Sequence, residues 1–299
     1  MDAQMIHRFI QQEDLPDSYG ALVDRWFMPL LAWLARQVDG VGGRPLVLGI
    51  NGAQGSGKTT LVRFLEMAMP GQLGIPTLSL SLDDFYLDRA ARQQLGRDVH
   101  PLLATRGVPG THDVRWLTAV VDQVLEVRQQ ENITLPVFDK ASDDRLAPEH
   151  WRRISGHARL VLLEGWCVGT LPQHEHELTD PVNELEARED VGGVWRGYVN
   201  DCLAGDYRAL FSRLDGLLML KAPDYDCILR WRALQERKLA ARSPAGTALL
   251  DEAALNRFLQ FFERLTRHSL KTLPQRADAL LQLDTDHDIA DARYRDTVR

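Results

Sequence analysis

The stretch Gly52-Ala53-Gln54-Gly55-Ser56-Gly57-Lys58-Thr59 decides the fold; it lies between the apolar run Leu46-Val47-Leu48-Gly49-Ile50 and a helical stretch from Thr60 to Met69. A strand that runs through a glycine-rich turn ending in Gly-Lys-Thr and straight into a helix is an arrangement that cradles phosphate. The backbone N–H groups of the turn and the N-terminus of the helix form a concave anion site. Gly52, Gly55 and Gly57 permit backbone angles that a Cβ resists. On this reading Gly52, Ala53, Gln54, Gly55, Ser56, Gly57, Lys58, Thr59 and Thr60 bind a nucleotide. Lys58 reaches the β- and γ-phosphates and the Thr59 hydroxyl ligates Mg²⁺. A plain glycine-rich turn is the alternative; the flanking strand and helix weigh against it.

Outward from this loop, strand and helix signals alternate. Strands are expected over 46–51, 75–82, 133–138, 159–164, 215–220 and 278–284, and helices over 58–69, 113–130, 194–213, 224–242 and 251–270. Such alternation predicts an α/β fold with a mostly parallel sheet covered by helices on both faces. Leu160-Val161-Leu162-Leu163 has no polar alternation, as a central buried strand requires. Before the loop, Tyr19 to Val38 carries apolar residues at helical spacing, with Pro29 expected to kink or break it. Residues 1–44 therefore read as an N-terminal helical extension packed outside the sheet, and 45–299 as the main domain. The stretch 171–190 is polar and acidic and reads as a solvated excursion. Its His174 and His176 lack an obvious third metal ligand.

Composition narrows the partners. The chain has 299 residues, 44% hydrophobic and 26% charged, as in ordinary soluble domains. A net charge of -7 argues against nucleic acid as the main ligand, because binding a phosphate backbone needs a basic face. It leaves room for a nucleotide, which needs only a local cationic pocket. No apolar run approaches a membrane span, and the first residues lack a basic-then-apolar signal. Cys167, Cys202 and Cys227 have no metal-ligand spacing and read as free thiols in a reducing compartment. The cytoplasm is the expected location; the oligomeric state is open.

Four further segments carry chemistry. Leu78 to Leu82 alternates as a strand and ends in Asp83-Asp84, followed by Phe85-Tyr86. Ligands in open α/β sheets bind beyond the carboxyl ends of strands, so these carboxylates belong near the γ-phosphate. A carboxylate there can accept the proton of an attacking hydroxyl or hold Mg²⁺ through water. Leu163-Glu164-Gly165-Trp166 offers a second carboxylate at a strand tip, with Gly165 allowing close approach of the nucleotide. In Arg106-Gly107-Val108-Pro109-Gly110-Thr111-His112-Asp113, Arg106 or His112 suits an anionic group and Asp113 a hydroxyl. A helix cap at Thr111 or Asp113 is the alternative. The helix 224–242 carries Arg230, Arg232, Arg237, Lys238 and Arg242, a cationic face that could close over phosphates as a lid.

Taken together and in this order, these segments resemble the P-loop kinase superfamily of uridine kinase, phosphoribulokinase and pantothenate kinase. The likeness is closer to plant-type D-glycerate 3-kinase and its microbial relatives. It rests on Gly52 to Thr60, Leu82 to Leu87, Arg106-Gly107, Gly110 to Asp113, Pro136 to Ala141, Asp144-Arg145, Leu163 to Trp166 and Tyr225 to Arg232. It implies a P-loop kinase fold with a helical lid at about 224–250. It implies ATP and Mg²⁺, and a small glycerate-like acceptor rather than nucleic acid or membrane. It makes Asp83 the catalytic base, with Lys58, Arg230 and Arg232 neutralising transferred charge. Thr59, Asp83 and Glu164 would place the metal. Asp84, Tyr86, Arg106, His112, Asp113, Lys140 and Arg145 would border the acceptor. One difference is the short Ala141 to Asp144 stretch between Lys140 and Arg145. Uridine- or pantothenate-like acceptors, a regulatory NTPase and a catalytically silent binding module are the other readings.

Overall fold

The computed structural model describes residues 3–126, 133–154, 157–242 and 252–296. The chain enters through α1 (Ala3–Gln12), α2 (Tyr19–Leu22) and α3 (Met28–Gly40). The expected break at Pro29 is only a change of winding. A π-type turn, Val23–Phe27, precedes α3, and Pro29 sits in the first turn of α3, so the helical path continues past the proline with its winding widened just before it.

The central strand β1 (Leu46–Gly52) leads into α4 (Lys58–Leu73), and β2 (Thr77–Ser81) follows. Then come α5 (Arg89–Asp98), α6 (Val114–Glu126), β3 (Ile133–Leu135), β4 (Phe138–Asp139), β5 (Asp144–Arg145) and β6 (Arg152–Ile154). β7 (Leu160–Gly165), α7 (Glu184–Glu189), α8 (Val194–Cys202), α9 (Arg208–Phe211) and β8 (Gly216–Lys221) continue the chain. α10 (Tyr225–Arg242), α11 (Glu252–Thr272), β9 (Ala279–Leu283) and β10 (Ile289–Tyr294) complete it.

Six strands make one sheet in the order β10-β9-β8-β1-β7-β2, parallel except for the β9–β10 edge pair. Alternate residues face opposite sides. Val47, Val161, Leu163 and Met219 join one core with α6, α8 and α11. Leu48, Ile50, Leu162 and Leu218 join the other with α3, α4 and α10. Both faces are covered, which is why these strands read as unbroken apolar runs. The N-terminal helices enter the second core through Phe9, Phe27, Leu30 and Trp33, all buried. Each such side chain contributes roughly 1.5–3 kcal/mol by leaving water.

Three expectations are corrected. The strand expected over 133–138 is not in the main sheet. β3 pairs antiparallel with β6, and β4 with β5, because Pro136 cannot donate to a continuous ladder. The polar stretch 171–190 is not simply solvated. Glu186 and Asp190 are buried, held by Arg264 and Arg196 at 2.6 and 2.9 Å. Gly165 makes room for protein rather than nucleotide, since an added Cβ would stand 2.9 Å from the Leu82 Cβ. Residues 127–130 of the expected 113–130 helix and 243–250 of the expected lid lie outside the described residues, as do the side chains of Arg237, Lys238 and Arg242.

Candidate active site

The carboxyl ends of β1, β2 and β7 converge, and the residues just beyond them form one site. After β1, Gly55 and Gly57 adopt φ of +77° and +88°, and Gly57 caps α4 in the left-handed region. Gly52 is required by packing: an added Cβ would lie 2.5 Å from Ser56 Oγ. Ser56 is buried and its hydroxyl has no hydrogen-bond partner among the described residues. Lys58 Nζ lies 3.8 Å from Glu164 Oε2 at the tip of β7. Gly55, Gly57, Lys58, Thr59 and Thr60 line a cavity of about 790 Å³.

Arg230 of α10 lines that cavity too, and Arg232 does not. Two positions on a helix point in nearly opposite directions, so only one of the pair can face the loop. Trp231 and Leu234 form a further wall, with the β9–β10 turn Thr285–His287. Trp231 Nε1 donates to Thr285 O at 3.2 Å, and its ring lies against His287 at 4.5 Å. His287 has φ +74°. Burial lowers its pKa, opposed by the backbone of Ser56 and Gly55 beside it. This turn ties the phosphate loop to α10. Nothing local in its sequence announces that role.

Asp83 and Asp84 sit in the tight turn Leu82–Phe85 after β2 and diverge. Asp83 accepts from Lys140 Nζ at 2.7 Å and Tyr86 Oη at 3.1 Å. Burial would raise its pKa, but the Lys140 and Lys58 charges prevail and bring it to about 2. Asp84 instead faces β4, accepting from the Phe138 N–H at 3.5 Å, and burial raises its pKa. Expected beside the acceptor, it anchors the β4–β5 hairpin.

Tyr86 stacks on His112 at 4.3 Å. The Gly110 N–H donates to Tyr207 Oη at 3.2 Å, and His112 Nδ1 lies 2.5 Å from the same oxygen. Tyr207 Oη thus accepts from the Gly110 N–H and shares a second hydrogen bond with the His112 ring. Burial lowers the His112 pKa to about 3 despite the Asp83 charge. His112 Nε2 is buried without a hydrogen-bond partner among the described residues. Tyr207 was invisible in the sequence because nothing nearby in the chain marks it.

The cations expected at the acceptor, Lys140 apart, are held by the protein. Arg106 pairs with Asp143 and donates to Lys140 O at 3.3 Å. Arg145 donates to Tyr86 O at 2.7 Å and approaches Asp113 at 3.5 Å. Asp113 caps α6 by accepting from the Trp116 N–H at 3.1 Å, the alternative the sequence offered for it. Arg92, unforeseen, is fully buried and donates to Leu87 O, Ala104 O and Asp143 O at 3.1, 3.1 and 2.5 Å. It fastens α5 to the hairpin that carries Lys140.

The oxygen donors fit a hard cation. Thr59 lies in the first turn of α4, Asp83 is near enough to Lys58 to feel its charge, and Glu164 Oε2 is buried with no hydrogen-bond partner among the described residues. Glu164 Oε1 accepts from Ser81 Oγ at 2.7 Å, which orients the carboxylate. Hydroxyl and carboxylate oxygens of this kind suit Mg²⁺. Among the described residues, no helix is long and apolar enough to cross a membrane.

No protein-family profile matches the chain. It is 34% identical over 211 residues to an uncharacterized kinase, mug58, of Schizosaccharomyces pombe, covering 68% of this chain and 74% of that one. It is 27% identical over 243 residues to the chloroplastic D-glycerate 3-kinase of Arabidopsis thaliana, covering 76% of this chain and half (50%) of the plant enzyme. The solved D-glycerate 3-kinase of Cryptococcus neoformans matches the fold with a TM-score of 0.73 at 21% identity, over 89% of this chain and 98% of that chain. The phosphate loop, the two strand-tip carboxylates and this relationship together make the chain a member of the P-loop kinases of the uridine kinase and phosphoribulokinase type, on the branch close to D-glycerate 3-kinase.

Proposed function

We propose that the protein transfers the γ-phosphoryl of ATP, with Mg²⁺, to a hydroxyl of a small anionic acceptor, best matched by D-glycerate. The observation that carries this is the setting of Asp83, which is paired with Lys140 on a hairpin that also engages Arg106 and Arg145. A carboxylate-bearing acceptor needs such a cation, whereas a nucleoside would need an aromatic slot. The names of the plant and fungal relatives support the same acceptor.

The steps follow from the chain's own groups. The loop amides and Lys58 hold the phosphates. Asp83 orients the acceptor hydroxyl and takes its proton as the oxygen attacks in line. Lys58 and Arg230 offset charge that develops on the transferred group. Thr59, Asp83 and Glu164 would hold Mg²⁺, which would supply positive charge against that of the phosphates. Lys140 takes the acceptor's carboxylate, aided by Arg106 or Arg145. Residues 45–299 form the kinase unit on this reading, with α10 as the start of its lid.

The test is ADP release by the purified protein with Mg-ATP, with and without D-glycerate, beside nucleosides, pantothenate and other sugar acids. Strong stimulation by D-glycerate supports both the reaction and the acceptor. Stimulation by another compound alone keeps the kinase and removes glycerate. Tight ATP binding without stimulation by any compound favours the regulatory reading.

A further inference from the structure

The nucleotide cavity has one wall that the phosphate loop, α10 and the β9–β10 turn do not supply. Asp14 and Leu15, at the exit of α1, line it together with Lys58, Thr59 and Thr60. These two residues belong to the N-terminal segment, which the motif reading left without a role.

Their position is fixed by packing. Phe9 of α1 is buried and meets Phe64 of α4 edge-on at 5.4 Å. Arg63, one helical turn past Thr59, donates to Glu13 at 2.6 Å. The Leu15 N–H closes the end of α1 onto Ile10 O at 2.9 Å, with Asp14 in the left-handed region at φ +51°. Glycine is the usual residue at such a helix end. An aspartate there puts a carboxylate at the mouth of the cavity, tethered beside the phosphate-binding end of α4.

We infer that Asp14 reads the nucleoside, its carboxylate accepting hydrogen bonds from the ribose hydroxyls of the bound nucleotide. The inference rests on the cavity being the ATP site. An ionised carboxylate only accepts hydrogen bonds, and phosphate offers it no donors. A ribose diol offers two. The phosphate end of the cavity is fixed by Lys58 and Thr59, and Trp231 and His287, their rings 4.5 Å apart and tilted by 33°, give an aromatic wall suited to a base. That leaves the sugar for the carboxylate held beside α4. The N-terminal helices are then part of the nucleotide site, not an appendage to the kinase unit.

The test is calorimetric binding of ADP, 2′-deoxy-ADP, 3′-deoxy-ADP and GDP to the full chain, without acceptor. The proteins are the wild type, Asp14→Ala and Asp14→Asn. Wild type should prefer ADP over at least one deoxy form by roughly tenfold or more, the usual weight of a charge-assisted hydrogen bond. Asp14→Ala should bind ADP as weakly as wild type binds that deoxy form, and should no longer distinguish the two. Unchanged discrimination in Asp14→Ala, or tighter ADP binding once a repelling charge is gone, overturns the inference. A change only in ADP against GDP preference also overturns it, since Asp14 would then read the base. Absence of any ADP binding by wild type removes the nucleotide reading itself, and with it this one. Equal melting temperatures of the three proteins separate loss of contact from loss of fold.

Discussion

Lys140 Nζ stands 2.7 Å from Asp83 Oδ2, so the carboxylate proposed to take the acceptor's proton is paired with the cation proposed to take its charge. An anionic acceptor can exchange partners with this pair: its carboxylate meets Lys140 while its hydroxyl meets Asp83. A neutral alcohol cannot. Lys140→Met is expected to raise the acceptor KM by roughly tenfold or more while the ATP KM stays near wild type. Asp83→Asn should instead lower kcat by roughly 10²–10⁴-fold with ATP binding kept. Steady-state kinetics with each substrate varied in turn would check both. Near-normal turnover in Asp83→Asn would remove it from the base role.

The buried imidazole of His112 makes a prediction about pH. Its pKa falls to about 3 in the fold, below the ordinary 6.5, because burial disfavours the charged ring. Between those values the unfolded chain binds a proton that the folded chain refuses, so stability rises with pH there. This contribution is present above pH 6.5 and is lost as pH falls towards 3. His268 and His287 are shifted the same way by burial, so the wild-type slope contains all three. The difference between wild type and His112→Gln isolates one. Melting temperature should fall less steeply from pH 6.5 to 4.5 in His112→Gln; identical slopes would mean the ring is not held neutral.

In the stretch between β7 and α8, Glu186 forms a buried pair with Arg264 of α11 at 2.6 Å, and Arg264 also donates to Glu177 O and Asp180 O at 2.7 and 2.6 Å. Removing only Glu186 leaves a buried guanidinium without its counter-charge. Glu186→Ala should cost roughly 3–5 kcal/mol in urea unfolding. Replacing both residues with apolar ones of similar volume should recover much of that, because the desolvation of two charges is also removed. Remaining activity per folded molecule should be unchanged in both variants.

What the sequence shows readily is local. Gly52 to Thr59 joins a strand end, a turn and a helix start, Glu164 stands near the end of an apolar strand, and Asp83 lies just past an alternating one. Their positions follow from the rule that ligands gather at the carboxyl edge of a parallel sheet. The edge strand β10 was missed because Ile289–Tyr294 mixes Asp and Arg into a ribbon that buries only Ile289. The helix α5 was missed because Arg89–Asp98 is strongly polar and buries only Arg92 and Gly96. The contacts of Tyr207 with His112 and of Arg92 with Asp143 span 95 and 51 residues. No period or short motif encodes pairings that distant; they exist only once the sheet has brought the segments together.

Arg92 shows how such a distant residue bears on the site. Its guanidinium reaches three backbone carbonyls and lies 3.1 Å from Asp143 Oδ2, and it is fully buried. Lysine would keep the charge but present one nitrogen in place of a planar fork, so it cannot reach all of these acceptors. Asp143 would loosen, and Arg106, which pairs with the same carboxylate, would lose its fixed orientation. The β4–β5 hairpin carries Lys140, so the disturbance should pass to the acceptor and not to ATP. Arg92→Lys is therefore expected to raise the acceptor KM several-fold and lower the melting temperature, with the ATP KM close to wild type. An equal rise in both KM values would show that Arg92 supports the whole fold and not the acceptor hairpin in particular.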